Sequence, residues 1–274
     1  LGSLEKPYVA EAIETTAAKL RDHAEAKVLN LAEQVEDEPI QADFGLVFGG
    51  DGAILAAARR VAAAGVPLLG VNMGRLGFMA EITGEELAAC VPDLLSGRLD
   101  TQDRMMLDSV IRREGQVLRQ LRAVNDIVIS REAHSRLIEM TVYINGEKVT
   151  TYAADGLILS TPTGSTAHSL AAGGPILRPD MEAIVIAPIC PHTLSNRPLV
   201  IPSTDEIEVE TYSRSVGIAL TVDGQVFVEL RNADRVRVTR SDVRLRLVRA
   251  TARTFFETLR TKLQWGGKPY YGKS

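Results

Sequence analysis

Between Gly45 and Leu55 the chain reads GLVFGGDGAIL, and this segment narrows the choice of fold more than any other. The apolar run Leu46 to Phe48 stops on Gly49, Gly50, Asp51 and Gly52, and an alanine-rich segment follows. The pattern predicts a strand over Phe44 to Phe48, a glycine loop, and a helix from Ala53 to Ala64. A stop at Gly65 and a second apolar strand, Pro67 to Val71, complete a βαβ unit, and hence a parallel sheet with helices on its faces. Glycines let backbone N–H groups approach an anion with no Cβ in the way, and a helix N-terminus adds partial positive charge. Asp51 does not fit a phosphate site alone, because a carboxylate repels a phosphate beside it. It needs a purpose such as orienting a hydroxyl or binding through Mg²⁺. The plain alternative is that Asp51 caps the next helix.

The rest of the chain divides by period. Ile13, Ala17, Leu20 and Ala24 recur at helical spacing and predict a helix over Val9 to Lys27, preceded by LGSLEKPYV, which reads as the tail of a strand. Beyond a polar stretch from Glu33 to Pro39 and the βαβ unit, the character changes near Met105. Leu137 to Ile144, Glu206 to Glu210, Arg235 to Val238 and Val243 to Val248 alternate apolar with polar residues, as half-buried strands do. Asn145-Gly146 between two such runs is a hairpin signal, so this part reads as antiparallel β. Helical pattern returns at Thr254 to Trp265, where Phe255, Phe256, Leu259 and Leu263 share a face that can dock on the first domain. The expected division is an α/β domain over residues 1–104 completed by a helix at 252–265, a β-rich domain over 105–251, and a flexible tail at 266–274. With 274 residues, 45% of them hydrophobic, the chain can fill such cores.

Composition excludes several classes. The formal charge of −4 offers no basic footprint for nucleic acid, so any phosphate site is local. No apolar run reaches the roughly 18 residues of a membrane span and no leader precedes the first helix, which points to a cytoplasmic protein with no membrane partner. Cys90 and Cys190 form no disulfide framework or metal spacing and read as small buried residues in a reducing compartment. His23, His134, His168 and His192 show no metal-binding spacing, so no dedicated metal site is expected. Residues 267–274 satisfy the P-loop pattern letter for letter, but no helix follows the final Ser274, and the match is read as coincidence.

Three further segments carry chemistry. GVNMGRLGF, Gly70 to Phe78, lies at the carboxyl end of a strand, as GGDG does, and such ends are where open α/β sheets bind ligands. Asn125-Asp126 immediately precedes Ile127-Val128-Ile129. ADGLILSTPTGSTAHSLAAGGPI, residues 154–176, opens from a strand into Thr161, Thr163, Ser165 and Thr166 around Pro162 and Gly164. Hydroxyls and free amides at such a junction bind sugar hydroxyls or phosphate, and a simply capped turn is the alternative. Asp155, Ser165 and His168 do not make a hydrolase triad, because the G-x-S-x-G elbow is absent.

In their order, GGDGAIL, GVNMGRLGF, Asn125-Asp126, residues 155–176, PICPHTLSNRPLVIP (residues 188–202) and VDGQ (residues 222–225) resemble the NAD kinase family. GGDG alone is shared with diacylglycerol, sphingosine and phosphofructokinases; TPTGSTA with LSNRPLVI downstream is far more specific. The resemblance implies a Rossmann-like α/β N-terminal domain, an all-β sandwich-like C-terminal domain, an active cleft between them, and a homodimer or homotetramer. It implies transfer of a phosphate from ATP, or polyphosphate, to the adenosine ribose 2′-hydroxyl of NAD. Mg²⁺ arrives with ATP, and no cofactor is tightly bound. A diacylglycerol-type lipid kinase and a non-catalytic NADP-binding sensor are the alternatives.

The resemblance also implies roles. Asp51 is the catalytic residue, accepting the hydrogen bond and then the proton of the ribose hydroxyl. Gly49, Gly50, Gly52 and Asn72 stand at the ATP phosphates. Asp51, Gly52, Phe78, Asn125, Asp126, Asp155, Thr163, Thr166, Ala167 and His168 line the NAD site, with Phe78 near the adenine and Asp155 and Thr166 toward the nicotinamide half. The parts of Asp223 and Gln225 stay open. The chain departs from the family pattern at Ala53, where Thr is common, at Asp126, where Glu is usual, and at His168, where Tyr is usual. These changes bear on donor preference and affinity more than on reaction class.

Overall fold

The computed structural model describes residues 1–33, 40–74, 77–132, 137–193, 196–214 and 217–264. Helix α1 (Pro7–Leu20) starts on a proline and buries Val9, Ile13, Ala17 and Leu20. It stops at Leu20 rather than at Lys27. Arg21, Asp22 and His23 are exposed and offer nothing to bury, and the Leu20 carbonyl accepts the N–H groups of both His23 and Ala24, closing the helix. Strand β1 (Gly45–Phe48) leads into α2 (Asp51–Val61), and a 3₁₀ turn at Ala62–Ala64 ends on Gly65 at φ 71°. Strand β2 (Leu68–Asn72) runs parallel to β1, with Leu46 opposite Leu69 and Phe48 opposite Val71. Every residue of both strands is buried, as expected of a parallel pair covered on both faces. Gly2 makes an isolated parallel bridge to Phe48, and among the described residues the rest of the segment read as the tail of a strand forms none, Pro7 to Val9 lying in α1. After β3 (Ile82–Thr83) come α3 (Gly84–Leu95) and β4 (Asp100–Arg104).

The middle of the chain is antiparallel β, as the alternation predicts. It comprises β5 (Leu107–Arg113), β6 (Gln116–Ala123), β7 (Asp126–Arg131), β8 (Ile138–Ile144), β9 (Glu147–Ala154) and β10 (Gly156–Ser160), then the short helix α4 (His168–Ala171). It continues with β11 (Ala183–Ile189), β12 (Leu199–Pro202), β13 (Ile207–Tyr212), β14 (Ile218–Val222), β15 (Val226–Leu230) and β16 (Arg235–Arg240). One sheet has the order β12-β11-β10-β7-β14-β15 and the other β6-β5-β16-β13-β8-β9. Residues of both sheets, among them Ile127, Ile129, Leu157 and Leu220 of the first and Ile111, Val142, Val209 and Val238 of the second, form one apolar core. This is the sandwich. Asn145 at φ 51° and Gly146 at φ 82° turn the β8–β9 hairpin, the left-handed pair that a two-residue loop requires.

Strand β17 (Leu245–Arg249) departs from the expectation. Its alternation reads as one more strand of the β-rich part, yet Leu247 pairs in parallel with Leu68, giving a sheet β1-β2-β17-β4 with β3 also on β2. Residues 1–102 and those from 246 onward accordingly form one compact unit and residues 103–245 the other. Glu81 fastens the returning chain, accepting from Arg249 Nε at 2.9 Å, Ala250 N at 3.0 Å and Thr251 Oγ1 at 3.2 Å. Helix α5 (Phe255–Leu263) starts on a Thr254–Glu257 capping box. Of the four residues expected on its packed face only Leu259 is buried; Phe255 is half-buried, and Phe256 and Leu263 are exposed.

Both cysteines also differ from the expectation of burial. Cys90 is half-buried on α3, and Cys190 is exposed just after β11, at φ 45°, where the strand has already ended. The tail at 266–274 with its P-loop-like letters, residues 34–39, Arg75 and His134 lie outside the described residues. Among the described residues no helix is long and apolar enough to cross a membrane.

Candidate active site

In the first unit, the glycine loop and the turn after β2 are joined by Asp51. Gly50, not Asp51, is the N-cap of α2, so the plain capping alternative does not describe this carboxylate. Asp51 is instead the first helical residue, and its side chain turns to the 77–80 segment. Oδ2 accepts from Phe78 N at 2.8 Å, and Oδ1 accepts from Met79 N at 2.9 Å and Ala80 N at 3.3 Å. The fit leaves no room for a side chain at Gly77, where a Cβ would overlap the Asp51 carboxylate. Asn72 is buried, and its amide closes its own turn: Nδ2 donates to Gly74 O at 2.7 Å and Gly74 N donates to Oδ1 at 3.2 Å. The carbonyl of Gly50 accepts the N–H groups of Ala53 and Ile54, while nothing lies within 4 Å of a Cβ placed on Gly50, so this side of the loop is open. Phe78 is half-buried.

The second unit holds a denser arrangement around residues 124–126. Asp223, on the β14–β15 turn, accepts from Asn125 N at 2.7 Å, Val124 N at 3.1 Å and Asp126 N at 3.3 Å, and its own N–H donates to Asp126 O at 2.9 Å. From the other side, Thr161 Oγ1 donates to Val124 O at 2.6 Å and Thr161 N donates to Asn125 O at 2.9 Å. Gly164 N in turn donates to Thr161 Oγ1 at 3.0 Å. Gly164 packs against this turn so closely that a Cβ there would overlap Asn125 O and stand 2.6 Å from Ser160 Oγ. Asp126 is 4% exposed, and burial, with the charge of Asp223 adding to it, pushes its carboxyl from 3.8 up to about 7.

Thr163 Oγ1, Asn125 Oδ1 and Ser169 Oγ are buried without a hydrogen-bond partner among the described residues. Buried polar atoms are nearly always paired, so these three, on segments 125 and 163–169, are exceptions that call for a partner. Thr166 Oγ1 donates to Thr163 O at 3.3 Å, and Ala167 and His168 are exposed at the start of α4. Asp155 is engaged with Arg131 Nε at 2.6 Å.

The comparisons with known proteins identify these segments. Residues 7–99 match the family model described as the ATP-NAD kinase N-terminal domain, and residues 124–250 match the ATP-NAD kinase C-terminal domain. The chain belongs to the NAD kinase family. It is 48% identical over 231 residues to the NAD kinase of Geobacter sulfurreducens, covering 84% of this chain and 81% of that one. It is 43% identical over 281 aligned positions to the NAD kinase of Moorella thermoacetica, covering 97% and 89%. Among solved structures, yeast NADH kinase complexed with NADH superposes with a TM-score of 0.79 at 28% identity, over 85% of this chain and 70% of that one. An NAD kinase from Archaeoglobus fulgidus in complex with ATP gives 0.74 over 92% and 94%, and at 21% identity this is a likeness of fold.

For a member of the NAD kinase family, the structure brings Asn125, Asp126 and the 161–166 loop together through Asp223 and Thr161, and it brings Asp51 onto the Phe78 turn. Gly77 was not singled out as a site-building residue, and Thr161 and Gly164, read as part of a hydroxyl-bearing junction, were given no part in holding the 124–126 turn. The sequence signal for the two glycines is their place inside GRLGF and TPTGST; for Thr161 it is a hydroxyl where the strand opens into that loop.

Proposed function

We propose that the protein transfers the terminal phosphoryl group of ATP to the 2′-hydroxyl of the adenosine ribose of NAD, giving NADP and ADP. The observation that carries this reading is the Asp51 carboxylate, held by three backbone N–H groups at the open strand–glycine–helix junction of a chain that belongs to this family. An ionised carboxylate offers about four acceptor directions. Three are taken by N–H groups, two of them on Oδ1, so the direction that remains belongs to Oδ2. That atom accepts the hydrogen bond of the ribose hydroxyl. As the hydroxyl oxygen bonds to the γ-phosphorus and the bond to ADP breaks, the proton passes to Oδ2. Because the transition state is loose, alignment and charge neutralisation supply most of the acceleration.

Gly49, Gly50, Gly52 and the first turn of α2 receive the ATP phosphates, and Mg²⁺ enters as part of that substrate, held largely by phosphate oxygens. Among the described residues no three His, Cys, Asp or Glu side chains converge on one point. On the acceptor side Asn125 Oδ1 and Thr163 Oγ1, the orphaned atoms, take NAD as their missing partner. Phe78, Asp126, Asp155, Thr166, Ala167 and His168 complete the proposed lining. A homodimer or homotetramer is part of the same reading, to be checked by light scattering.

The test is an assay with NAD, ATP and Mg²⁺ in which NADP is detected through a strictly NADP-dependent dehydrogenase, with Asp51→Asn beside the wild type and with polyphosphate and NADH as further arms. Turnover by the wild type and a loss of about 10²-fold or more in the variant, with KM for NAD little changed, is the expected outcome. Near wild-type turnover in Asp51→Asn removes Asp51 from its role, and no NADP under any arm removes the kinase reading.

A further inference from the structure

We propose that Asp223 is the positioning residue of the acceptor pocket: its carboxylate holds the 124–126 turn and thereby aims Asn125 and Asp126 at the substrate. The functional arm of this inference rests on the NAD reading given above; the structural arm does not.

Three successive N–H groups point at one carboxylate, which suits an ionised acceptor. Asp223 is 8% exposed, so the alternative of losing these bonds to water is largely closed. Its backbone sits at φ 52° and that of Gly224 at φ 64°, and with Gln225 they form the three-residue turn that joins β14 to β15 and presents the side chain to β7. The turn and the 161–164 loop grip the same three residues from opposite sides. The loop takes the carbonyls of Val124 and Asn125, and Asp223 takes the N–H groups. With the peptide groups fixed at both ends, the side chains of Asn125 and Asp126 have few directions left. Asn125 keeps Oδ1 without a partner, an arrangement that costs stability unless a ligand uses it.

Burial raises the Asp126 carboxyl, and the charge of Asp223 raises it further. Around Asp126, strand β10 contributes Ser160 opposite it and the β14–β15 turn contributes Asp223. The charge of Asp223 opposes ionisation of Asp126. Neutralising Asp223 therefore moves the Asp126 titration down, an effect that a purely structural support does not have.

The experiment compares the wild type with Asp223→Asn and Asp223→Ser, and with Asp234→Asn as a stability control. Asp234 is another buried carboxylate of the same unit, paired to Arg113 at 2.8 Å. Carboxyl ¹³C NMR of aspartate-labelled protein without substrate gives the Asp126 midpoint, assigned with Asp126→Asn. Steady-state kinetics give KM for NAD and for ATP separately.

The inference expects the Asp126 midpoint to fall in both Asp223 variants and KM for NAD to rise about ten-fold or more, with KM for ATP within two-fold. Asp234→Asn should lower the melting temperature with KM for NAD and the Asp126 midpoint unmoved. An unchanged midpoint with unchanged KM for NAD, or an equal KM rise in the Asp234 control, overturns it. Should neither Asp223 variant fold, the wild type decides. The amide protons of Val124, Asn125 and Asp126 must follow one carboxyl titration and must shift on addition of NAD; independence of either kind overturns the proposal. A wild type that makes no NADP defeats the kinase reading but leaves the NMR arm standing.

Discussion

Asp51 and Asp223 stand in different units of the molecule and do the same mechanical thing. Each gathers three successive backbone N–H groups, Asp51 those of 78–80 and Asp223 those of 124–126. Their surroundings differ. Asp51 is half-buried beside open glycines, whereas Asp223 is almost fully buried beside a second buried carboxyl, Asp126. On the proposed function the first carboxylate keeps an acceptor direction for the reacting hydroxyl, and the second spends itself on aiming its neighbours. The same device thus serves chemistry where it is left open and recognition where it is closed, and each use predicts a different response to damage.

The largest effect is expected at Gly77. A Cβ there overlaps the Asp51 carboxylate, so in Gly77→Ala the carboxylate must move. A displacement near 1 Å costs about 10²-fold when alignment carries the rate. Turnover should fall by about that factor while KM for NAD changes little, as steady-state kinetics on a variant of normal melting temperature will show. A rise in KM for NAD with turnover intact would break the contrast, because the open carboxylate would then be serving recognition.

The closed carboxyl pair predicts a pH dependence. Burial and Asp223 raise Asp126 from 3.8 to about 7, so between these values the folded chain holds a proton that the unfolded chain has released. Unfolding free energy therefore falls as pH rises through that window and is lowest above it. Asp126→Asn removes the titration. Relative to that variant, the wild type should lose about 3 kcal/mol of stability between pH 5 and pH 8. Urea unfolding of both proteins at the two pH values measures this. Parallel pH dependences would mean that Asp126 ionises freely.

Much of the scaffold behind this comparison was legible in the sequence. Period-two alternation marked the sandwich strands, Asn145-Gly146 marked a hairpin, and the apolar run before GGDG marked the parallel core. What failed did so for physical reasons. Leu245 to Val248 alternates in the same way whether it pairs antiparallel in a sandwich or parallel beside β2, so the pattern could not tell which sheet it joins. The extent of α1 was overstated because Ala24 keeps the period while Arg21 to His23 bury nothing. Among site residues, Asp51 stood out by its glycines. Asp223 acts on residues 97 to 99 positions away, a contact that no local pattern encodes.

Gly164→Ala tests the acceptor side with a smaller expected effect. The added methyl overlaps Asn125 O and meets Ser160 Oγ, and the grip of the 161–164 loop on the turn must loosen. Overpacking of this kind costs about 1–3 kcal/mol, and KM for NAD should rise several-fold with turnover less affected. The outcome is to be set beside Gly77→Ala. If both glycine variants lose turnover equally, the division between an open and a closed carboxylate does not hold.

The smallest effect is expected just downstream of the Asp51 turn. Thr83 Oγ1 accepts from Glu86 N at 3.3 Å and Glu86 Oε2 accepts from Thr83 N at 2.7 Å, a capping box that starts α3. Thr83→Ala should cost about 1 kcal/mol of stability, read as a lowered melting temperature. Its kinetic consequence is the sharper question, because Thr83 pairs with Asn72 at the end of β2, two residues from the Gly74 turn. Unchanged turnover would show that the Asp51 contacts hold the 78–80 segment without help from the helix behind it. A loss of turnover comparable to that of Gly77→Ala would show that Asp51 is positioned by α3 and β3 as well, and that the open carboxylate, like the closed one, depends on a second layer of support.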